Sequence, residues 1–156
     1  MTLYARHLLA AAILLSLDGG FSAAVAAQIE VRSDSMTMNE KTGEIRFEGQ
    51  VKVTASEGEL TCDRLTLLPV EGAVGQVRYG RAEGNVVVTR QGDALRADRA
   101  EVDVPAGRIE LSGSPTLSRG PSRIRAVRIT YTLADRAAVF AGPVEAVIVA
   151  PEGAGP

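Results

Sequence analysis

Apolar and polar residues alternate from about Gln28 to Val149, which is the period of a β-strand with one buried face. The alternation restarts after short segments rich in Gly, Asn, Asp and Pro, so we predict strands separated by turns. Ile45 and Phe47, for example, alternate with charged residues. Runs with helical spacing are interrupted by Gly or Pro. The pattern therefore predicts a single all-β domain over residues 28–149.

The inward positions of this alternation are predicted to form one continuous apolar stripe, because like positions lie above one another when strand units stack. The chain has 46% hydrophobic but only 4% aromatic residues, so the stripe is rich in methyl groups. It is either a plain hydrophobic core or the wall of a groove that binds lipid acyl chains, since ligand sites are mostly apolar clefts. The predicted stripe comprises Met36, Met38, Ile45, Phe47, Val51, Val53, Leu65, Leu67, Val86, Val88, Val102, Ile109, Leu111, Ile129, Tyr131 and Phe140.

A sequence repeat underlies the strands. Four marker positions each follow a small residue and are 29, 35 and 29 residues apart: Asp34, Asp63, Asp98 and Val127. A glycine stands fifteen residues after each marker, except in the second unit, where it stands six residues further along the chain. These glycines are Gly49, Gly84, Gly113 and Gly142. Nine residues after the markers stand Gly43, Gly72, Gly107 and Arg136. About four copies of a strand–turn–strand unit, one with a six-residue insertion, explain this spacing and predict a stacked architecture.

The first 27 residues have the layout of a cleavable secretory signal peptide. Arg6 supplies the positive charge, and the apolar stretch from Leu8 to Leu17 is about half the length that a membrane span needs. Small residues up to Ala26 and Ala27 offer cleavage sites. We therefore expect an exported mature domain, followed by a flexible tail at residues 150–156.

The composition argues against catalysis. The single histidine lies in the predicted signal, and the single cysteine, Cys62, has no partner for a disulfide or a Cys–His pair. Cys62 follows the small-residue pattern before a marker, which favours a packed side chain over a reactive or intermolecular thiol. The acids Asp98, Glu101 and Asp103 alternate with apolar residues, which predicts a solvated outer face. We expect no enzyme activity, no cofactor and no metal site.

Charge is uneven along a chain with a formal net charge of −2. Residues 28–63 hold eight acids and four bases, whereas residues 117–136 hold five arginines and one acid. Arginine binds phosphate and carboxylate well. The arginines are therefore either ordinary decoration that protects strand edges from aggregation, or a contact for a phosphorylated ligand or for the acidic first strand of a neighbour.

Three motifs make the chain similar to the OstA-like family of periplasmic lipopolysaccharide-transport proteins. They are Ser33-Asp34-Ser35-Met36 with Gly43 following, Glu83-Gly84-Asn85-Val86-Val87-Val88, and Ala97-Asp98-Arg99-Ala100-Glu101. The resemblance covers roughly residues 29–142. It implies a V-shaped antiparallel β-jellyroll whose inner faces hold the acyl chains of lipopolysaccharide. One departure is Pro115, which stands where other units have Val51 and Val86.

This resemblance also implies a function. It suggests a non-enzymatic periplasmic protein that carries or bridges lipopolysaccharide from the inner to the outer membrane. Sheet edges would contact inner-membrane LptC-like and outer-membrane LptD-like proteins and would allow head-to-tail self-association, with no nucleic acid involved. We assign these edge contacts to Ile29, Val31, Val144, Val147 and Ile148. The alternatives are an LptC-like partner of the same pathway and a purely structural β-repeat protein without a ligand.

Overall fold

The computed structural model describes residues 29–56, 58–71 and 77–150. The predicted signal at 1–27, residues 151–156 of the predicted tail, Gln28 and Gly72 lie outside these ranges. All elements of the described ranges are β-strands, which confirms the all-β prediction. They are β1 (Glu30–Arg32), β2 (Ser35–Met38), β3 (Ile45–Ala55), β4 (Gly58–Pro69), β5 (Val77–Arg90), β6 (Asp93–Asp103), β7 (Arg108–Ser112), β8 (Thr116–Arg119), β9 (Ser122–Arg125), β10 (Arg128–Thr132), β11 (Ala137–Ala141) and β12 (Glu145–Val147).

The twelve strands form one antiparallel sheet that has two halves. The long strands β3 to β6 contribute to both halves, and each short strand pairs within one of them. One half, which we call wall A, has the segment order β2-β3-β4-β5-β6-β7-β10-β11. The other half, wall B, has the order β1-β3-β4-β5-β6-β8-β9-β12. Each wall therefore contains eight strand segments.

The two walls meet at a corner where glycine-containing strands carry one extra residue. The pairing of β3 with β4 shifts between Glu48 and Val51, and β5 has an equivalent shift. Gly84 and Asn85 both have left-handed backbones there, with φ of 77° and 46°. Such a bulge bends a strand and increases its twist. The bend lets one continuous sheet supply two walls.

The sequence repeat has a geometric counterpart at this corner. The four glycines lie against the four markers: Gly49 against Asp34, Gly84 against Asp63, Gly113 against Asp98, and Gly142 against Val127. Ser33 and Cys62 precede two of the markers, and each donates a side-chain hydrogen bond to the carbonyl two residues further on, at 2.9 and 3.3 Å. Equivalent sequence positions thus have equivalent local structure.

The predicted turn positions and the unusual proline also agree with the repeat. Gly43, Gly107 and Arg136 all have a left-handed backbone, with φ of 72°, 59° and 49°. Pro115 is almost fully buried, so it fills the interior as Val51 does in the first unit. Its carbonyl accepts a hydrogen bond from the Ala126 N–H at 3.1 Å. The proline therefore preserves the pairing at its corner, where only its acceptor is used.

The predicted inward phase of the stripe is confirmed. Eleven of its sixteen residues are buried, with exposed fractions of 7% or less: Val51, Val53, Leu65, Leu67, Val86, Val88, Val102, Ile109, Leu111, Ile129 and Tyr131. Ile45, Phe47 and Phe140 are partly buried and pack against them. The buried residues come from both walls, so the inner faces of walls A and B cover each other. Within the described ranges, no polar or charged residue is buried in this core.

The corner geometry yields a stability prediction. Gly84 and Gly92 both have positive φ, but a Cβ at Gly84 would overlap the Asp63 carboxylate, whereas a Cβ at Gly92 would meet nothing within 4 Å. Gly92→Ala should cost about 1–2 kcal/mol through backbone strain alone. Gly84→Ala should cost about 1–3 kcal/mol more, because it also overpacks the corner. Urea unfolding measures both, and equal losses of unfolding free energy would contradict close packing at the corner.

Candidate functional site

The apolar interior between the two walls is the candidate site, and it is closed at its middle. Leu60, Val53 and Val86 have 0–1% of their surface exposed and belong to wall B, while Leu65 and Val102 of wall A have 1–2% exposed. Burying a Val or Leu side chain contributes about 1.5–3 kcal/mol. This central part is therefore a true hydrophobic core. A ligand could occupy it only if the walls moved apart.

At one end of the molecule the stripe is open. Met36 and Met38 on β2 lie opposite Phe47 and Ile45 on β3, so their side chains point to the inner face. They are nevertheless 56% and 54% exposed, because β2 is the edge of wall A and no other strand in the described part of the chain covers them. The sequence predicted their face correctly. Their exposure makes them the accessible part of the stripe.

The opposite end is also apolar on its inner face. Phe140 on β11 lies opposite Ile129, and Ala138 lies opposite Tyr131. In wall B, Ala146 on β12 lies opposite Ile124 of β9, which is half-buried. The stripe thus runs from one free end of the sheet to the other, with a closed centre and two less covered ends.

The residues predicted to form edge contacts lie on or beside β1 and β12, and each of these strands pairs with one neighbouring strand only in the described sheet. β1 pairs with β3, and β12 pairs with β9. Val31 lies opposite the buried Val53 and faces inward, whereas Val147 lies opposite the exposed Arg123 and faces outward. The other residues assigned to edge contacts flank these two strands: Ile29 is partly buried, and Val144 and Ile148 are 46% and 77% exposed. The structure adds two edges that the sequence did not predict, namely β2 and β11 of wall A.

Several interior residues were missed by the sequence prediction. Leu60 and Leu95 are buried. They were missed because the inward phase shifts by one residue at the corner, so they alternate with Cys62 and Ala97 and are out of phase with the predicted residues further along the same strands. The interior also contains small residues whose sequence signal is weak: Ala82, Ala97, Ala100 and Ala126. These alanines narrow the space between the walls, since a small side chain lets opposing surfaces approach.

Charged residues cover the outer face of wall A in alternating sign. Arg64 of β4 binds Glu48 of β3 at 2.8 Å. Arg99 of β6 binds Glu83 of β5 at 3.2 Å, and Arg128 of β10 approaches Glu110 of β7 at 3.3 Å. Opposite charges on neighbouring strands contribute roughly 0.2–1 kcal/mol per pair. They stabilise the order of the strands.

The acids considered as a catalytic group belong to this outer face. Glu101 accepts a hydrogen bond from Arg81 Nε at 3.0 Å, and Asp103 accepts one from the Ala106 N–H at 3.1 Å. Asp98 is exposed and packs on Gly113. These contacts give the three acids structural roles. Among the described residues, no group of His, Cys, Asp and Glu could hold a metal ion.

The arginine-rich segment divides into paired and solvent-facing residues. Arg119 binds the Asp93 carboxylate, with 2.6 Å between Nη2 and Oδ2, and this hydrogen bond lowers the pKa of Asp93. Arg128 is also paired, with its Nε 3.3 Å from Glu110 Oε1. Arg123 and Arg125 are exposed on the outer face of β9, directly beside the edge strand β12. Part of the segment therefore stabilises the sheet, and part lies next to a free edge.

Cys62 is a packed interior residue, as the repeat predicted. Its exposed fraction is 4%, and its thiol donates a hydrogen bond to the Arg64 carbonyl. Burial, with a smaller contribution from the Asp63 charge, raises the pKa of the thiol to about 12. The thiol is therefore protonated at neutral pH. It is unsuited to nucleophilic or redox chemistry, because the thiolate is the reactive form.

The fold and the site define the class of this protein: an antiparallel β-jellyroll with two walls, an apolar interior and free edges at both ends. Residues 30–137 match the family described as LptA/(LptD N-terminal domain) LPS transport protein, so the chain belongs to this family. This confirms the resemblance found in the sequence. No curated protein matches the chain. Within the described ranges, no helix is long and apolar enough to cross a bilayer.

A solved structure supports the same fold. The chain is similar to the crystal structure of LptH, the LptA homologous periplasmic component of the conserved lipopolysaccharide transport device from Pseudomonas aeruginosa. The TM-score is 0.64 with 16% sequence identity, and the match covers 79% of this chain and 96% of LptH. At this identity the likeness shows a shared β-jellyroll architecture.

The burial of Cys62 predicts its reactivity. A thiol pKa of about 12, against 9.0 for an unperturbed thiol, lowers the thiolate fraction at pH 8 by roughly three orders of magnitude. Native protein should therefore react with iodoacetamide at least about a thousandfold more slowly than the urea-unfolded chain. Mass spectrometry of timed samples measures this. Equal labelling rates for the native and unfolded protein would contradict the packed position of Cys62.

Proposed function

We propose that this chain is a non-enzymatic periplasmic protein that binds lipopolysaccharide and carries or bridges it from the inner to the outer membrane. Family membership supports a role in lipopolysaccharide transport, and the export signal predicted at residues 1–27 supports the periplasm. The observation that carries the proposal is the apolar stripe, which continues through the interior to exposed Met36 and Met38 at one end and to Phe140 at the other.

The interior suits acyl chains chemically. Its walls consist of Val, Leu, Ile and Ala with few aromatic rings, and each methylene group removed from water contributes about 0.8 kcal/mol. Because the centre is closed, entry of a chain requires the walls to move apart by opening about the corner. Packing against the acyl chain then replaces the packing of one wall against the other. The exposed methionines offer a first contact, since Met adapts readily to irregular apolar partners.

The free edges are the proposed contacts for LptC-like and LptD-like proteins and for further copies of this chain. Unpaired edge strands can add a strand from another protein. Each wall has eight antiparallel segments, so its first and last strands run in opposite directions. A second copy in the same orientation would thus meet the free edge of the first as an antiparallel strand in both walls. Such a head-to-tail contact propagates instead of closing.

One observation favours the alternative of a purely structural protein. The central interior is closed, with Val53 and Leu60 fully buried between the walls. A structural protein would keep this core closed in the presence of any lipid, and the delipidated form would bind no amphiphile. Ligand binding therefore separates the two functions.

The groove proposal predicts opposite results for neighbouring residues of β2. Met36→Glu should weaken binding of fluorescently labelled lipopolysaccharide at least about tenfold, because a carboxylate among alkyl chains costs several kcal/mol unless it protonates. Thr37→Glu should bind normally, since Thr37 lies opposite Arg46 on the outer face. Both residues are exposed, so both variants should fold. Leu111 is only 4% exposed, so a glutamate there would unfold the protein, and a loss of binding could then not be attributed to the groove.

A second matched pair tests the other end. Phe140 faces the interior, and Val139 on the same strand is 61% exposed on the outer face. Phe140→Glu should weaken lipopolysaccharide binding and Val139→Glu should not. Circular dichroism must show that each variant is folded. Unchanged binding by folded Met36→Glu and Phe140→Glu would overturn the groove, and equal losses from inner and outer substitutions would do so as well.

Edge association predicts the effect of a proline on β12. The Val149 N–H donates to Ser122 Oγ next to β9 at 3.1 Å, and alternate residues of a strand point their N–H groups to the same side. The N–H of Val147 therefore points to β9, whereas those of Ala146 and Ile148 point to the free edge. Ala146→Pro should remove an edge donor and abolish concentration-dependent self-association while the monomer stays folded.

Light scattering across a wide concentration range measures this association. Ala146→Ser keeps the N–H and is the matched control, which should associate like the wild type. Full association of folded Ala146→Pro would show that the free edge of β12 is not the contact.

A further inference from the structure

Two rows of cross-strand pairs span the whole molecule at the corner. In wall A, the residue after each marker pairs with the residue before each glycine. This row is Ser35, Glu48, Arg64, Glu83, Arg99, Ser112, Arg128 and Ala141. In wall B, the residue two before each marker pairs with the residue three after each glycine. This row is Arg32, Lys52, Thr61, Val87, Arg96, Thr116, Arg125 and Glu145.

The same register rule therefore holds at all seven junctions between neighbouring segments of the described sheet. It holds within repeat units and between them, and it survives the six-residue insertion and the replacement of an Asp marker by Val127. Every junction includes one extra residue on the glycine side of the corner. The markers and glycines thus act as a ruler that sets how one strand lies against the next.

We propose that a second copy of this chain adds to the sheet with this same register. At this eighth junction the Asp34 corner of the second copy lies next to Gly142 of the first. This inference rests on the proposed head-to-tail self-association and deepens it by fixing the register. The rule then pairs Ala141 with Ser35 of the next copy in wall A. In wall B it pairs Glu145 with Arg32 and Val147 with Glu30 of the next copy.

The inner faces are complementary in this register. Phe140 lies opposite Met36 of the next copy, which matches an aromatic ring with a thioether, and Ala138 lies opposite Met38. In wall B, Ala146 lies opposite Val31 and Ile148 opposite Ile29 of the next copy. The exposed methionines of one copy are covered by the apolar end of the other, and the stripe becomes continuous across the junction.

The outer face is complementary in charge. Glu145 already pairs in register with Arg125 of β9, and the junction places Arg32 of the next copy on its other side. Glu145 would then lie between two arginines, as Arg64 lies between Glu48 and Glu83 inside the sheet. A slip by two residues would place Glu145 opposite Glu30 instead. Like charges directly opposite each other destabilise a sheet, so the sequence selects the register that the ruler predicts.

The backbone can make the expected bonds in this register. At the junction of β8 with β9, the Ala126 N–H donates to the Pro115 carbonyl at 3.1 Å. The equivalent bond at the eighth junction runs from the Ser33 N–H of the next copy to the Val144 carbonyl. Glu145 and Arg32 then form a pair without backbone hydrogen bonds between them, for which the Cα atoms are about 4.5 Å apart.

Disulfide trapping tests this register. In a Cys62→Ala background, we would mix two single-cysteine proteins in equal amounts, oxidise them and count mixed disulfides by mass spectrometry. The matched mixtures are Glu145→Cys with Arg32→Cys and Val147→Cys with Glu30→Cys. The crossed mixtures are Glu145→Cys with Glu30→Cys and Val147→Cys with Arg32→Cys. Directly opposed residues are within disulfide reach, whereas crossed residues are about 7–8 Å apart and exceed it.

The proposal predicts at least tenfold more mixed disulfide in the matched mixtures than in the crossed ones. Each substitution occurs in one matched and one crossed mixture, so a folding defect or low thiol reactivity cannot produce this pattern. Crossed disulfides in equal or greater amount would overturn the register. Light scattering on the wild type distinguishes a wrong register from an absence of self-association. Association without matched disulfides overturns the register alone, and a monomer at every concentration overturns the self-association as well.

Discussion

The structure depends on the close packing of a marker residue against a glycine at the corner between the two walls. At Gly84 and Asp63 this contact leaves no room for a Cβ, and the left-handed backbone of Gly84 and Asn85 adds the residue that bends the strand. Without the bend, the apolar faces of twelve strands would form a single exposed surface. With it, one sheet covers its own apolar side and needs no helix or second domain to do so.

The same geometry means that the proposed lipid binding would act against the stability of the fold. The walls stabilise the fold by burying each other, and residues such as Leu65 and Val51 gain most from a closed interior. A lipid carrier must give up part of this packing when a ligand enters. In the stripe, burial is deepest at the centre, whereas Met36 and Met38 at one end are more than half exposed, so the proposed entry of lipid would begin where the least packing is lost. In the proposed head-to-tail assembly, another copy would cover the apolar side chains that the monomer leaves exposed.

The sequence predicted the class of fold and the inner face of the strands because both depend on local patterns. Period-2 alternation determines which side chains share a face, and this was sufficient to place Met36 and Phe140 on the interior side. Exposure could not be predicted, since it depends on which strand lies at the edge of each wall. The edges β2 and β11 were missed for the same reason. Pairs such as Arg119 with Asp93 join residues far apart in sequence and follow from the topology alone.

If lipid enters between the two walls, the distance between the walls must change when lipid binds, and this distance can be measured. Spin labels on the outer faces, at Arg108 of wall A and Thr89 of wall B, lie near strand ends that are remote from the corner. Electron–electron double resonance would compare their separation in delipidated protein and after addition of lipopolysaccharide. The distance should be longer in the bound state, because the walls open about the corner. An unchanged distance in protein that has bound lipopolysaccharide would contradict it.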